Sequence, residues 1–413
     1  MRLVSRRLAF ALLVPFALGA QTAAAPRTGS GFDPVRLARI DSTMRRLIEA
    51  RRIPGAVVLL VQDGRVAYQK AFGFRDITTR APLRTDDIFR IASQTKAITS
   101  LAAMILWEEG KFNLDDPVSE FLPEFDKQVV LAKFNPADSS YETRPAKRRT
   151  TIRQLFTHTA GLGYADIGSD EMRAIYAKAG LTAIGREGDL LADKVRTLGR
   201  LPLEIEPGER FNYSLSLDVL GRLVEVWSGM PLDRFMRTRI FEPLKMPDTG
   251  FELPAQQRTR LVTLHTETDG KLGLMEAQDG MHPDFPARRM TYFAGGAGLS
   301  GTVGDYARFL QLFLNGGELD GVRIIGRKTV ELMLANHIPR LQPAFGLGFA
   351  LETAENDART VLSEGTFSWG GAFQTSYWAD PKERLVALVY TNVLGSTVNV
   401  EPLFRTLVYS ALR

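Results

Sequence analysis

Residues 90–98 read RIASQTKAI, which places Ser93 and Lys96 three positions apart. Apolar residues follow at helical intervals, and the segment predicts a helix from Ser93 to Glu109 that Gly110 ends. Residues three apart on a helix share one face. A hydroxyl and an amine held side by side can act as a nucleophile and its proton acceptor. The same spacing is also typical of a surface serine that caps a helix beside a solvated lysine.

The composition is that of a globular protein with a modest net charge. The 413 residues are 45% hydrophobic and 24% charged, enough for a sizeable core in one large domain or in two to three smaller ones. The formal charge is +5, and three arginines within the first seven residues contribute to it. This balance gives no reason to expect a nucleic-acid partner. The chain has no cysteine, which excludes disulfides and a thiol nucleophile.

Residues 1–25 have the pattern of a signal peptide. Three arginines precede an apolar stretch at residues 8–18, and small residues follow, of which Ala20 or Ala24 could end the leader. The apolar stretch is short for a membrane span. We therefore expect a periplasmic or secreted protein whose mature form has no stable membrane span. An uncleaved membrane anchor is the alternative.

The order of extended and helical patterns predicts the architecture. Extended patterns occur towards both ends of the chain, at residues 56–61, 66–72, 346–352, 366–378 and 384–392. Asp63-Gly64, between the first two, is a strong hairpin signal. Helical patterns begin behind Asp33 and at residue 398, and residues 111–290 carry helical pieces and long loops. We expect an antiparallel sheet flanked by terminal helices, with a mainly helical region inserted.

Two further runs contain candidate site residues. Tyr213 lies in ERFNYSLSLDVLG at residues 209–221, just before a helical pattern, where a tyrosine at the edge of the core is the structural alternative. The run FSWGGAF at residues 367–373 opens a predicted strand. Its paired glycines indicate either close approach by a ligand or backbone, or a tight bend.

Together these runs resemble the serine β-lactamase-like superfamily, and the chain looks most similar to the family VIII carboxylesterases, which share the class C β-lactamase fold. The resemblance spans residues 33–413 and includes two more runs, QLFTHTAGL at 154–162 and GGAGLS at 295–300. It implies an α+β (or α/β) fold of the β-lactamase/transpeptidase-like kind. The α/β part would comprise about 33–110 and 291–413, and the helical part about 111–290.

The resemblance also implies a role for each motif. Ser93 would be the acylated nucleophile, Lys96 would hold and deprotonate its hydroxyl, and Tyr213 would share the proton. The backbone N–H groups of Ser93 and Ala372 would form an oxyanion hole, in which one donor is typically worth about 10²–10³ in rate. Lysine and tyrosine both titrate near 10 when free. Because coupled groups titrate as a pair, the sequence leaves open which of the two is the base.

Two positions depart from the β-lactamase pattern. Leu215 stands where an asparagine would bind a substrate amide, and Trp369 stands where a lysine would attract a carboxylate. Leu215, Trp369, Gly370 and Gly371 are therefore candidate substrate-binding residues. Both changes favour neutral acyl esters over charged amides. We expect a carboxylesterase that cleaves short or medium acyl esters through an acyl-enzyme on Ser93.

Three other functions remain open at this point. A β-lactamase or D,D-peptidase would use the same chemistry on amides, a transacylase would pass the acyl group to another acceptor, and a non-catalytic protein would only bind a cell-wall ligand. No serine lies in a G-x-S-x-G run, so His158 is expected to bond backbone groups rather than to complete a catalytic triad. The histidines lack the spacing of a zinc site, and no metal or other cofactor is expected. The oligomeric state stays unknown.

Overall fold

The structure is a computed structural model that describes residues 31–278, 281–355 and 357–413. The signal peptide expected at residues 1–25 lies outside the described residues. In the described part of the chain, no helix has the length and apolar character that a membrane crossing needs.

Strands prevail towards both ends of the described chain, and helices α3–α8 follow one another in its middle. The helices are α1 (Pro34–Glu49), α2 (Thr95–Glu108), α3 (Ile152–Phe156), α4 (Asp170–Lys178), α5 (Leu191–Gly199), α6 (Ser216–Ser228), α7 (Leu232–Met236), α8 (Ala255–Arg258), α9 (Val303–Leu314), α10 (Arg327–Met333) and α11 (Val400–Ser410). The strands are β1 (Gly55–Gln62), β2 (Arg65–Asp76), β3 (Ala81–Pro82), β4 (Phe89–Arg90), β5 (Val129–Asn135), β6 (Ser140–Pro145), β7 (His265–Thr268), β8 (Lys271–Leu274), β9 (Ser300–Gly301), β10 (Glu318–Leu319), β11 (Val322–Arg323), β12 (Ala350–Leu351), β13 (Phe367–Gly371), β14 (Thr375–Asp380), β15 (Leu385–Tyr390) and β16 (Val393–Leu394).

The two ends of the chain build the main sheet together. Within the described residues it has seven strands in the order β12-β13-β14-β15-β1-β2-β3, and every pair is antiparallel. Strand β1 lies in the interior of this sheet, next to the central strand β15, and Leu59 faces Leu388 of β15 on one side and Gln69 of β2 on the other. This arrangement confirms the antiparallel sheet predicted from the sequence.

Strand β1 separates two hydrophobic cores. Successive side chains of a strand point to opposite faces of the sheet. Val58 and Leu60 pack with residues of α1 and α11, so the terminal helices cover one face. Val57 and Leu59 point to the other face, into the larger core that contains α2, α6 and α9. The second face therefore carries the elements in which the site motifs lie.

The long strand predicted over residues 366–378 is wrong, because the structure makes a hairpin there. Strands β13 and β14 pair with each other, with Trp369 opposite Tyr377, and a turn at residues 372–374 joins them. Gln374 has a φ of +53°, a left-handed conformation that reverses the chain. The turn places Ala372 at the end of the sheet instead of within a strand.

Two other predicted elements differ at their boundaries. The strand expected at residues 346–352 is reduced to β12, and helix α2 begins at Thr95 rather than at Ser93. A 3-10 turn, Ala92–Gln94, precedes the helix. The inserted region has more helix than strand, and it also holds the β5–β6 and β7–β8 hairpins, which the sequence analysis does not predict.

Candidate active site

The side chains of Ser93 and Lys96 meet where the 3-10 turn enters α2. Nζ of Lys96 lies 3.3 Å from Oγ of Ser93, the contact that their spacing predicts. Lys96 is buried, with 2% of its surface exposed, whereas Ser93 keeps part of its exposure. A nucleophile that solvent reaches, beside an amine that solvent does not reach, suits acyl transfer.

The backbone that carries Ser93 is constrained on both sides. Ala92 has a φ of +43°, a left-handed conformation that costs a residue with a side chain about 1–3 kcal/mol. The N–H of Ile91 donates to the carbonyl of Leu299 at 3.1 Å. The hydroxyl of Thr375 donates to the carbonyl of Ile91 at 3.4 Å. These bonds hold the turn in a conformation that the chain alone would not favour.

Of the two glycines in the tryptophan-glycine-glycine run, Gly371 is the one that must lack a side chain. A Cβ there would lie 2.4 Å from the carbonyl oxygen of Ile91 and 2.3 Å from Oγ1 of Thr375. At Gly370 the nearest atom would be 3.3 Å away. The close approach at Gly371 is therefore between two backbone segments, and it brings Ala372 beside the turn that carries Ser93.

Lys96 is bonded by a loop that the sequence analysis left without a role. Nζ of Lys96 donates to the carbonyl of Gly296 at 2.7 Å. A Cβ at Gly295 would lie 2.4 Å from the carbonyl oxygen of Leu217, so this loop passes tightly between α2 and α6. The GGAGLS run thus supplies the strongest hydrogen-bond acceptor of Lys96 among the described residues.

Tyr213 completes the site, although its hydroxyl stays apart from the other two groups. Nζ of Lys96 lies 4.5 Å from the centre of its ring. The hydroxyl is buried and makes no hydrogen bond with any described residue. The structure therefore places the amine beside both the alcohol and the phenol ring, and no described residue bonds the phenol oxygen. A buried hydroxyl without a hydrogen bond lowers the stability of the fold by about 1–3 kcal/mol, and such groups are rare in native structures.

Tyr164 is a site residue that the sequence analysis missed. Its hydroxyl accepts a hydrogen bond from Nζ of Lys96 at 3.5 Å, and its ring stacks on that of Tyr213. Burial, together with the neighbouring Tyr213, raises its pKa well above the usual value. The phenol of Tyr164 therefore stays protonated. Its position just after the QLFTHTAGL run was the one available signal, since no spacing rule relates it to Lys96.

Asp218 is a second residue that the sequence analysis missed. It lies in the first turn of α6, where a carboxylate is favoured by the helix dipole, and it is 1% exposed. Burial raises the pKa of Asp218 to about 6, although the charge of Lys96 and the N–H of Gly296 act in the opposite direction. Asp218 lies five residues after Tyr213 and among leucines. This local pattern predicts a polar residue on the surface of a helix rather than a residue of the site.

His158 has the backbone contact that the sequence analysis predicts for it. The N–H of Ser214 donates to its Nδ1 at 3.2 Å. Burial, and secondarily the charge of Lys96, hold the pKa of His158 well below its usual value, so the ring is neutral. The centre of its ring lies 4.6 Å from the centre of the Tyr213 ring, so the two side chains pack against each other.

The two substituted positions differ in what they offer a substrate. Trp369 is partly exposed and packs between Tyr213, at 5.6 Å, and Phe345, at 5.3 Å, so its indole remains a candidate substrate contact. Leu215 is 2% exposed and lies in the core, where its N–H donates to Gly163. We correct its expected role from substrate binding to packing, because the leucine presents almost no surface to a ligand.

Other parts of the described chain do not add to this site. Among the described residues, no three His, Asp or Glu side chains are placed to hold a metal ion. A groove of about 700 Å³ lies beside α7 and the loop at residues 247–257, and none of Ser93, Lys96 and Tyr213 lines it.

A comparison with protein families identifies the fold independently. The family model described as Beta-lactamase matches residues 40–409. The chain belongs to the Beta-lactamase family. This Beta-lactamase family member is therefore an enzyme of the serine hydrolase kind, and its fold is the one that the sequence motifs predict.

Individual relatives within this family are esterases. Esterase EstB from Burkholderia gladioli is 31% identical over 373 residues, which cover 86% of this chain and 90% of EstB. Lovastatin esterase from Penicillium rubens is 30% identical over 378 residues, covering 84% and 90%. The solved structure of EstCE1, described as a hydrolase with promiscuous acyltransferase activity, has a TM-score of 0.78 at 29% identity and covers 91% of this chain and 99% of its own.

Proposed function

We propose that this protein is a carboxylesterase that cleaves short or medium neutral acyl esters through an acyl-enzyme on Ser93. The observation that carries the proposal is the 3.3 Å contact between Ser93 and a buried Lys96, with the ring of Tyr213 over the same amine. Ser93 Oγ attacks the ester carbonyl and its proton passes to the Lys96–Tyr213 pair, which returns the proton to the alkoxide so that it leaves as the alcohol. Water then releases the acid and restores the serine.

The oxyanion of the tetrahedral intermediate would be held by the N–H groups of Ser93 and Ala372. The tight packing of Gly371 against Ile91 supports this role, because it places the two backbone segments side by side. Such donors act on charge that develops in the transition state.

The substrate class follows from the groups around the nucleophile. Trp369 provides an apolar surface where a cation would be needed to attract a carboxylate. The partly exposed ring of Trp369 packs against the rings of Tyr213 and Phe345, which fix its position. A neutral acyl group or a neutral alcohol fits this wall better than a charged peptide end does. The esterase relatives support the same choice.

Replacement of Ser93 by alanine tests the proposal. Hydrolysis of p-nitrophenyl butyrate should fall by about 10⁴-fold or more, as it does when an acylated serine is removed, while the circular dichroism spectrum stays that of the wild type. A fluorophosphonate probe should label the wild type and fail to label the variant. Undiminished turnover in the Ser93→Ala variant would refute the assignment, and an unlabelled wild type would favour a protein that only binds its ligand.

Acyl transfer to an acceptor other than water is a second candidate function. The description of EstCE1 as a hydrolase with acyltransferase activity favours it, since the acyl-enzyme is common to both reactions. Turnover of p-nitrophenyl butyrate with added butanol or benzylamine separates the two. A new ester or amide as the main product would make the enzyme a transacylase, and butyric acid as the main product would make it a hydrolase.

We also propose that the protein is exported, on the strength of the leader pattern at residues 1–25. Expression of the full chain in a bacterium with a periplasm, followed by cell fractionation and N-terminal sequencing, tests this. A mature N-terminus close to Ala20 or Ala24 is the expected result, and a cytoplasmic protein that keeps its first residues would contradict it.

A further inference from the structure

Asp218 is a buried carboxylate that the proposed reaction does not use. Its Oδ1 accepts hydrogen bonds from the N–H of Gly296 and from the hydroxyl of Tyr292, each at 3.4 Å. Its Oδ2 is buried and has no hydrogen bond to any described residue. Two long bonds satisfy a buried carboxylate poorly, so a nearby positive charge is the expected compensation.

Lys96 supplies that positive charge, and Gly296 lies between it and Asp218. Gly296 donates its N–H to Asp218, and its carbonyl accepts from Nζ of Lys96 at 2.7 Å. A Cβ placed on Gly296 would lie 2.6 Å from Oδ2 of Asp218 and 3.4 Å from Nζ of Lys96. The carboxylate and the amine therefore border the same small space, and only a glycine leaves that space empty.

The surroundings of Lys96 suit an ammonium group. Nζ has three hydrogen-bond acceptors, namely the carbonyl of Gly296, Oγ of Ser93 and the hydroxyl of Tyr164. An ammonium has three N–H donors to match them, whereas a neutral amine has two. The faces of two tyrosine rings also lie within 5.3 Å of Nζ, which favours a cation.

We propose that Asp218 is a positioning residue that keeps Lys96 protonated in the resting enzyme. The proposal rests on the proposed function of Ser93 and Lys96. A protonated Lys96 can donate to Oγ of Ser93 and cannot take its proton. The proton of Ser93 then goes to the oxygen of Tyr213, whose own proton must first pass to solvent.

The other titratable groups near the pair do not supply this negative charge. They are Tyr164, Tyr213, Tyr292, His158 and Asp166. Burial keeps Tyr164 and Tyr292 protonated by raising the pKa of each, and it keeps His158 neutral by lowering its pKa. Burial raises the pKa of Asp166 although the charge of Lys96 lowers it, and because the residue as a whole is exposed, solvent weakens its interaction with Lys96.

The pH dependence of kcat/KM for p-nitrophenyl butyrate tests the proposal. A unit charge about 6 Å away, at an effective dielectric constant of about 20, shifts a pKa by about two units. Because a negative charge holds the proton on the pair, the Asp218→Asn variant should move the acidic limb of the profile down by about one to two pH units. A purely structural role would lower kcat/KM without moving the limb.

Two matched variants act as controls. Tyr292→Phe removes a hydrogen bond from Asp218 and keeps its charge, and Asp166→Asn removes a charge that solvent screens. Both should leave the limb within about 0.3 pH units of the wild type, since neither alters the buried carboxylate. A limb that moves as far in either control as in Asp218→Asn overturns the proposal.

A stability cycle gives an answer even if one variant does not turn over. At pH 8, Lys96→Met and Asp218→Asn should each lower Tm, because each leaves one buried charge unpaired. The double variant should melt above the less stable single variant. The proposal is overturned if the two losses in Tm are additive. It is also overturned if both single variants fold and the double variant does not. Residual activity in Ser93→Ala would instead refute the proposed function, so the two failures are distinguishable.

Discussion

The ring of Tyr164 stacks on the ring of Tyr213, with centroids 5.4 Å apart and planes 9° apart. Both rings lie near Nζ of Lys96, at 5.3 and 4.5 Å from their centres. Two phenol rings thus lie beside Lys96, where the sequence motif predicts only that of Tyr213. Their hydroxyls differ, because that of Tyr164 accepts a bond from Lys96, whereas that of Tyr213 has no hydrogen bond to any described residue.

Removal of each hydroxyl in turn separates the two phenols. Tyr213→Phe should lower kcat for p-nitrophenyl butyrate by about 10²–10⁴-fold, the usual contribution of a positioned proton acceptor. Tyr164→Phe should lower it by about tenfold or less, since that hydroxyl gives Lys96 one hydrogen bond among three. Steady-state kinetics at the pH optimum measures both. A larger loss in Tyr164→Phe than in Tyr213→Phe would transfer the proton role to Tyr164.

The tryptophan-glycine-glycine run gives a matched pair of alanine variants. Gly371→Ala should destabilise the fold by about 1–3 kcal/mol and lower kcat, because the new methyl group would push β13 away from Ile91 and from the turn that carries Ser93. Gly370→Ala meets nothing closer than 3.3 Å and should change both quantities little. Urea denaturation and ester turnover measure the effects. Equal losses in the two variants would contradict a close approach specific to Gly371.

Trp369 is expected to decide between neutral and charged esters. We predict that the wild type hydrolyses p-nitrophenyl butyrate with a higher kcat/KM than its anionic analogue, the p-nitrophenyl hemisuccinate. Trp369→Lys should raise the anionic-to-neutral ratio about fivefold to tenfold over that of Trp369→Gln, because a partly exposed charge pair contributes about 1 kcal/mol. The glutamine variant controls for loss of the indole. An identical ratio in the two variants would place the acyl tail away from residue 369.

His158 should affect stability in acid and leave the chemistry largely intact. Its folded pKa lies below the ordinary 6.5, so the unfolded chain binds a proton that the folded chain refuses. Stability therefore falls as pH drops below about 6.5, by about 1.4 kcal/mol per unit for this one group. His158→Asn should lose that part of the slope, and asparagine tolerates the φ of +53° at this position.

Urea denaturation between pH 4.5 and 7.5 measures this effect of His158, and ester hydrolysis at pH 7.5 serves as its control. Turnover of His158→Asn should stay within about tenfold of the wild type. A loss of about 10⁴-fold, as for a triad histidine, would show that the ring takes part in the chemistry.

Local sequence patterns predict much of the fold and part of the candidate site. The spacing of Ser93 and Lys96 on one helical face predicts their contact, and Asp63-Gly64 predicts the β1–β2 hairpin that the structure contains. The fold follows from extended patterns at both ends of the chain. Each of these signals is short-range, because it depends on residues within one or two turns of each other.

Contacts between distant segments were beyond the same reasoning. Nothing local to Asp218 or Tyr164 marks them as neighbours of Lys96, since their positions depend on how α6 and the loop after α3 pack against α2. The glycines of the 295–300 run show the same limit. Gly295 and Gly296 are required because Leu217 and Asp218 approach them from another element. Leu215 was wrongly assigned to substrate binding, because its position in a motif does not reveal which way its side chain points.

The central pairing of β1 with β15 also governs when the enzyme can become active. A ribosome makes β1 long before β15, so β1 lacks one neighbour until the segment that holds β15 has also been made. A nascent chain thus exposes the edge of an apolar strand, which invites aggregation unless a chaperone covers it. Because Gly371 of β13 and Thr375 of β14 also pack against Ile91, the turn that carries Ser93 gains this support only after these strands have joined the sheet.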